Sequence, residues 1–254
     1  MPPNDEFELL LRLGDDRLVL GHRLSEWCGH APILEEDIAL ANVALDLLGQ
    51  ATLFLRRAGT VEGKGRDEDA LAYFREAVDF RNCLLVEQPN GDFAFTIARQ
   101  FLFDVHAVVT LDAMTRSTSP ELAALAAKSL KEAKYHVRHS GEWLIKLGDG
   151  TEESRRRVQR AVDALWRFTP ELFAADDVAA RLAVQGIGPD LPALRPRWES
   201  IVRDVIDRAT LTLPHDAVHS AHLRGGRAGV HSEHLGHMLA EMQIVARSHP
   251  GATW

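Results

Sequence analysis

Apolar residues recur at intervals of three and four along most of the chain, as in Ile38, Ala41, Leu45 and Leu48. This spacing places them on one face of an α-helix. Proline interrupts helices, and its absence from three long stretches leaves room for long ones. These stretches are 33–88, 90–119 and 121–169. Runs of β-branched residues alternating with polar ones do not occur, so the pattern predicts no strand.

The ends of the helices follow from prolines, glycines and capping residues. Asp92 suits the N-cap of one helix, and Ser119, which precedes Pro120, suits the N-cap of the next. The pattern predicts helices at about 6–27, 34–57, 69–86, 92–116, 120–147, 152–167, 170–184, 197–210 and 232–247. Long helices with short connections indicate an all-α bundle.

The chain is long and apolar enough to form a large core. It has 254 residues, of which 46% are hydrophobic, and this composition excludes a disordered protein. The only plausible linker, 186–196, is too short to separate two independent domains. We therefore expect one helical domain over 1–254, with a C-terminal helical extension from about 186.

Charge and motifs exclude several classes of function. With 29 basic and 37 acidic residues the net charge is −8, so we expect no nucleic-acid partner. No apolar run approaches the roughly 20 residues of a membrane span, and the first residues do not resemble a signal peptide. We expect a cytoplasmic protein without a membrane partner, whose two cysteines are reduced structural thiols. Motifs of serine hydrolases, P-loop proteins and dinucleotide-binding folds are absent.

Acidic residues occur among apolar neighbours in three of the predicted helices. Asp46 and Asp104 each lie between two large apolar residues, and Glu132 lies one turn before His136 on a third helix. Carboxylates that point inward from separate helices are typical of ferritin-like di-iron proteins. Iron ions prefer anionic oxygen ligands, and a histidine completes the ligation of each metal.

The number of possible ligands goes against a metal centre. A complete site takes about six ligands, which include two acid-x-x-His pairs. Tyr135 stands where such a pair would have its histidine after Glu132, and the one pair with this spacing, Asp216 and His219, lies outside the long helices. We expect a metal-free bundle with degenerate site positions at Asp46, Asp104, Glu132 and His136. The alternative is a di-iron or di-manganese oxygenase that uses these four residues.

Histidines concentrate near the end of the chain, where spacings of three and four residues could place several on one face of a helix. They are His215, His219, His222, His231, His234 and His237. Glycines at 225, 226 and 229 interrupt the segment, so we favour a surface arm or an interface over a zinc or iron site.

Seven stretches distributed over nearly the whole chain form a specific signature. They are RLGD at 12–15, SEWCGHAP at 25–32, DLLGQA at 46–51, LVEQPNGDF at 85–93, KEAKYH at 131–136, LWRFT at 165–169 and HSEHLGHMLAEMQ at 231–243. These stretches resemble the C-subunit family of phenylacetyl-CoA epoxidase, the PaaC family.

The resemblance implies a ferritin-like fold and membership of a multicomponent monooxygenase that epoxidises the aromatic ring of phenylacetyl-CoA. In that family a related A subunit holds the di-iron centre, a reductase brings electrons from NADPH, and the C subunit has lost the metal ligands. We therefore expect no cofactor and no catalytic residue in this chain. Its expected partners are the A subunit, the B subunit and the reductase.

The resemblance also implies contacts between this chain and the acyl-CoA substrate. An arginine near a groove would suit the phosphates of coenzyme A. The residues implied are Asp79, Phe80, Arg81 and Asn82 in one place and Ala180, Arg181 and Leu182 in another.

Overall fold

The computed structural model describes residues 5–214 and 223–252. Every regular element within these residues is helical, which confirms the all-α class. The α-helices are α1 (Asp5–Ser25), α2 (Leu34–Glu62), α3 (Glu68–Tyr73), α4 (Phe93–Met114), α5 (Pro120–Gly148), α6 (Glu152–Trp166), α7 (Asp177–Val184), α8 (Leu191–Arg208) and α9 (Glu233–Ser248). Short 3₁₀ helices occur at Ala77–Asp79, Thr169–Phe173 and Gly226–Ala228.

Several helix ends confirm the capping expectations and others correct them. The Asp92 side chain caps α4 by accepting a hydrogen bond of 2.9 Å from the Phe95 N–H. Ser119 stands at the N-cap position of α5, but its side chain makes no capping hydrogen bond. Pro196 lies inside α8 instead of before it, because α8 begins earlier than predicted, at Leu191, where the Asp190 side chain caps it by accepting a hydrogen bond of 3.4 Å from the Ala193 N–H.

Two of the predicted helices are wrong in part. The helix predicted at 69–86 is much shorter in the structure, where α3 ends at Tyr73. Further along, the backbone N–H groups of Arg81 and Cys83 donate to buried acids of α1 at 2.8 Å each. These tertiary bonds replace the bonds that a helix would have made there. The helix predicted at 170–184 divides into a 3₁₀ helix and α7, where Asp176 caps the first turn of α7.

The chain divides into two compact units. Of the described residues, the first unit takes 5–89 and 225–252, and the second takes 90–214 with 223 and 224. The residues after 186 are therefore shared between the units. A single domain with an extension from about 186 stays a prediction.

The first unit is built on α1 and α2. Arg17 of α1 donates to Gln50 of α2 at 2.7 Å, and Arg57 of α2 donates to Glu6 of α1 at 3.2 Å. Residue numbers thus fall along one helix as they rise along the other, so the two helices are antiparallel. Their core is formed by fully buried apolar side chains, among them Leu10, Leu20, Leu24, Leu40 and Phe54. Helix α9 packs against α3 in the same unit.

The second unit is built on α4, α5, α6 and α8. The rings of Phe93 and Trp143 meet edge to face at 5.2 Å, and Asp104 lies 2.8 Å from Ser140, so α4 and α5 are antiparallel. The buried indole of Trp198 in α8 donates to a carbonyl oxygen of α4 at 3.1 Å. Aromatic side chains from several helices thus close the core of this unit.

Helices α2 and α4 are long and apolar enough to cross a membrane by length and composition, contrary to the expectation that no apolar run approaches this length. In α4, 89% of the most apolar window is buried, as in the core helix of a soluble protein. In α2 only 44% of that window is buried. An apolar face of α2 therefore lies on the surface.

We predict that Gly59→Ala destabilises the first unit by about 1 to 3 kcal/mol. A Cβ atom at Gly59 would lie 2.0 Å from the carbonyl oxygen of Arg66, and a backbone atom moves less readily than a side chain. Gly49→Ala on the same helix is the control, since a Cβ there meets nothing within 4 Å and alanine favours the helix. Urea unfolding of both variants measures the difference, and equal stabilities would contradict the prediction.

Candidate functional site

Asp104, the candidate ligand in the middle of α4, is enclosed by the second unit. Its side chain is 1% exposed. One carboxyl oxygen accepts a hydrogen bond of 2.7 Å from the Gln100 amide, and the other lies 2.8 Å from the Ser140 hydroxyl of α5. A complete set of short polar contacts therefore holds this acid in one position.

The Ser140 hydroxyl has one hydrogen and two oxygen neighbours. The second neighbour is the carbonyl oxygen of His136, one turn earlier on α5, at 2.9 Å. The serine is therefore placed to donate its hydrogen either to Asp104 Oδ2 or to this carbonyl oxygen. Burial raises the pKa of Asp104 to about 8, and the hydrogen bonds from Ser140 and Gln100 oppose this rise only in part. Asp104 is therefore a neutral carboxylic acid at neutral pH.

The other degenerate positions have different surroundings. Asp46 belongs to the first unit, whereas Glu132 and His136 belong to the second unit with Asp104. His136 is buried, but Asp46 and Glu132 are only half-buried. Each of these three side chains has an interaction partner within the protein.

The donor set does not fit a di-iron centre. Binding of a metal by Asp104 would have to displace its proton, which lowers the metal affinity at neutral pH. Among residues 5–214 and 223–252, no three histidine, cysteine, aspartate or glutamate side chains converge as a metal site would require. The pair Asp216 and His219 lies outside the described residues, as do His215 and His222.

Sequence reasoning missed two adjacent buried acids in the middle of α1. Asp15 accepts hydrogen bonds from both terminal nitrogens of Arg75, one of them at 2.9 Å. Asp16 accepts two from Arg227, at 2.9 and 2.8 Å. Each also accepts one of the backbone N–H bonds described above. Two charged clamps thus attach sequence-distant segments to α1.

Glu87 is a third acid of this kind in the first unit. Its buried carboxylate accepts hydrogen bonds from the Asn82 amide at 3.0 Å, the Ser232 N–H at 2.7 Å and His231 Nδ1 at 2.9 Å. The other ring nitrogen of His231 bonds the Phe80 carbonyl at 3.1 Å. Both nitrogens of this histidine therefore face oxygen atoms of the protein, so neither is directed at a metal.

The residues that the resemblance implied for acyl-CoA contact lie in both units. In the first unit Asp79 is exposed, whereas Arg81 is half-buried and its guanidinium lies 3.1 Å from Glu8. Phe80 and Asn82 are buried there. In the second unit Ala180 and Arg181 are exposed and Leu182 is buried. Contact of these residues with substrate stays a prediction.

Comparisons with known proteins agree on one family. The family model described as phenylacetic acid catabolic protein matches residues 2–254. The C subunit of the 1,2-phenylacetyl-CoA epoxidase of Escherichia coli (strain K12) is 52% identical over 244 residues, which cover 96% of this chain and 97% of the relative. The family resemblance and the ferritin-like bundle class are both confirmed.

We predict that Asp104→Asn removes a pH dependence of stability. In the wild type the folded state keeps a proton that the unfolded state loses above about pH 4. The contribution of this proton to the free energy of unfolding is therefore complete below about pH 4. It falls as the pH rises to about 8, by about 1 kcal/mol per pH unit. Asparagine preserves both hydrogen bonds without a titrating proton. Urea unfolding from pH 5 to 9 should show a flatter profile and a more stable variant at the alkaline end.

Asp104→Ala is the matched control for this prediction. It also removes the titrating proton, but it leaves a cavity and strands the Gln100 donor, so it should lower stability throughout by about 2 to 4 kcal/mol. A wild-type profile that runs parallel to that of Asp104→Asn would show that Asp104 is ionised in the folded protein.

We also predict that Asp15→Ala costs about 3 to 5 kcal/mol of folding free energy, because it leaves the Arg75 guanidinium buried without its anion. The double variant Asp15→Leu with Arg75→Met should be less destabilised than the single variant, since it buries no unpaired charge. Asp204→Ala is the control, because it breaks an exposed pair with Arg208 and should change stability by about 0.5 kcal/mol or less. Chemical denaturation measures all three.

Proposed function

Because this chain belongs to the family of phenylacetic acid catabolic proteins, we propose that it is a non-catalytic structural subunit of a multicomponent phenylacetyl-CoA 1,2-epoxidase. In this role it takes part in aerobic phenylacetate degradation and supports a catalytic subunit of related fold. The E. coli relative is itself one of several subunits of such an epoxidase by name, in agreement with a multisubunit assembly.

The observation that carries this proposal is the state of Asp104. Its proton, its burial and its hydrogen bonds to Gln100 and Ser140 satisfy the acid without a cation. Oxygen activation requires a redox cofactor, since side chains alone do not split dioxygen. A bundle whose central acid already has hydrogen-bond partners within the protein is suited to act as a rigid support for another subunit.

The alternative, an autonomous di-iron or di-manganese oxygenase, has less support. It would need Asp46, Asp104, Glu132 and His136 to act as ligands together, and Asp104 would first have to lose its proton. In this proposal iron belongs to the catalytic A subunit, and NADPH acts through the reductase. The chain then works in the cytoplasm with the A subunit, the B subunit and the reductase, without nucleic acid or membrane.

Part of the acyl-CoA pocket also belongs to this proposal. Of the implied residues, Asp79, Arg81, Ala180 and Arg181 have surface that a ligand could touch. Phe80, Asn82 and Leu182 are buried. Arg81 is the best candidate for a phosphate, although Glu8 already neutralises part of its charge.

We predict that epoxidation requires this chain together with the A subunit and that neither is sufficient alone. Co-expression followed by gel filtration should yield a stable hetero-oligomer. NADPH oxidation and product formation are then measured with B subunit, reductase and phenylacetyl-CoA, in the presence and absence of this chain. Full epoxidation without this chain would refute the structural role.

Asp104→Asn separates the two functions within the same assay. A structural subunit keeps its activity in the complex when this neutral acid becomes a neutral amide. An oxygenase that binds metal through Asp104 loses both its activity and its iron. Elemental analysis of the isolated wild-type chain after anaerobic iron loading gives a second readout, and about two irons retained per chain would favour the oxygenase.

A further inference from the structure

Two adjoining cavities lie along α3 in the first unit. The inner cavity, of about 130 Å³, lies between α1, α2 and α3. The outer cavity, of about 410 Å³, lies between α3 and the C-terminal half of α9. Asp69 and Tyr73 line both cavities, which together form one feature that we call the α3 cleft. Its outer part falls within the roughly 300 to 1,000 Å³ that small-molecule sites occupy.

Large apolar side chains form the walls of the α3 cleft. They are Leu18, Leu48 and Leu55 in the inner cavity and Phe74, Met242 and Val245 in the outer one. Phe74 is exposed by 48% and Val245 by 54%, although both line a concave surface. Exposed apolar side chains that gather around a cavity are typical of a site that buries part of an organic ligand.

Three polar side chains that line the inner cavity lack a partner within the protein. Among the residues that the structure describes, none forms a hydrogen bond or an ion pair with the His22 ring, the Asp69 carboxyl group or the Tyr73 hydroxyl. His22 and Tyr73 are half-buried, so missing hydrogen bonds cost free energy there. The buried carboxylate of Glu87, in contrast, accepts three hydrogen bonds in the same unit. A ligand with several N–H donors would supply the missing bonds of the α3 cleft.

The charges around the α3 cleft favour a cation. Arg56 holds Glu68 at 3.0 Å and makes no ion pair with Asp69. Partial burial and the charges of Asp67 and Glu68 raise the pKa of Asp69, which a bound cation would lower again. Burial lowers the pKa of His22, so its ring is neutral at neutral pH and offers one lone pair. A protonated amine has three N–H donors, which a carboxylate, a phenol oxygen and a neutral imidazole can accept.

The aromatic side chains of the outer cavity favour an organic cation over a metal ion. Tyr73 and Phe74 both line this cavity, and the faces of such rings attract ammonium groups. The flexible thioether of Met242 adapts to apolar groups of different shapes. Within 5–214 and 223–252, no three histidine, cysteine, aspartate or glutamate side chains converge on a point where a metal ion could bind.

We propose that the α3 cleft binds a small protonated amine that carries an apolar group. Its ammonium lies at Asp69, Tyr73 and His22, and its apolar group lies in the outer cavity. A ligand of this size binds with a dissociation constant of about submillimolar order. The proposal goes beyond the proposed function and does not depend on it.

Isothermal titration calorimetry of the isolated chain at neutral pH tests the proposal with benzylamine. Benzyl alcohol is the matched ligand without a charge, and methylamine is the matched ligand without an apolar group. The wild type should bind one benzylamine per chain. We expect both matched ligands to bind at least about tenfold more weakly, because each lacks one of the two features that the α3 cleft recognises.

Variants of the α3 cleft locate the bound amine. Asp69→Asn should weaken benzylamine binding by at least about tenfold without loss of thermal stability, since Asp69 is exposed and its carboxyl group has no hydrogen bond to lose. Glu241→Gln is the matched control, because Glu241 is an exposed acid of α9 that lines neither cavity. Tyr73→Phe should weaken binding by about threefold or more. Val245→Trp fills the outer cavity and should abolish binding, while the exposed position of Val245 lets the fold persist.

Three results would overturn the proposal. The first is a wild type for which neither calorimetry nor saturation-transfer NMR detects binding at millimolar benzylamine. The second is equal affinity for benzylamine and benzyl alcohol, which would show an apolar cavity without an ammonium site. The third is benzylamine binding that Asp69→Asn leaves unchanged or that Glu241→Gln weakens to the same extent. Each of these results leaves the requirement of epoxidation for this chain unaffected, so the two proposals fail separately.

Discussion

A carboxyl group buried in a helical protein must meet a cation, several N–H donors or a proton, because an isolated charge in the interior is too costly. This chain uses all three solutions. Asp15 and Asp16 meet arginines, Glu87 meets an amide, a backbone N–H and an imidazole, and Asp104 keeps its proton. The surrounding structure depends on these choices, since each acid determines which segments must come together around it.

The two units differ in what their buried acids accomplish. In the first unit the acids of α1 clamp the irregular segment after α3 and the segment that precedes α9. These segments have little regular structure of their own, and the ionic clamps fix their course. In the second unit Asp104 lies between α4 and α5, where it forms a hydrogen bond with Ser140. Its neutral form adds a local polar contact to an otherwise apolar helix pair.

The sequence predicted the long helices well because their apolar spacing and capping residues act locally. Asp92, for example, needs only its own first turn to start α4. The segment after α3 could not be predicted in the same way, since its backbone bonds acids that lie more than sixty residues away. The Asp15 and Asp16 pair had a signal, two adjacent acids in an apolar helix, but nothing local identified their arginine partners. The raised pKa of Asp104 likewise depends on its burial by the other helices of the second unit.

The order of the chain has a consequence for folding during synthesis. Residues 90–224 lie in sequence between the two parts of the first unit. At ribosomal rates of about 5 to 20 residues per second, their translation takes roughly 7 to 27 s. For that time Asp16 lacks Arg227, and Glu87 lacks His231 and Ser232. The second unit can therefore reach its native packing first, while the first unit remains incomplete until its last segment leaves the ribosome.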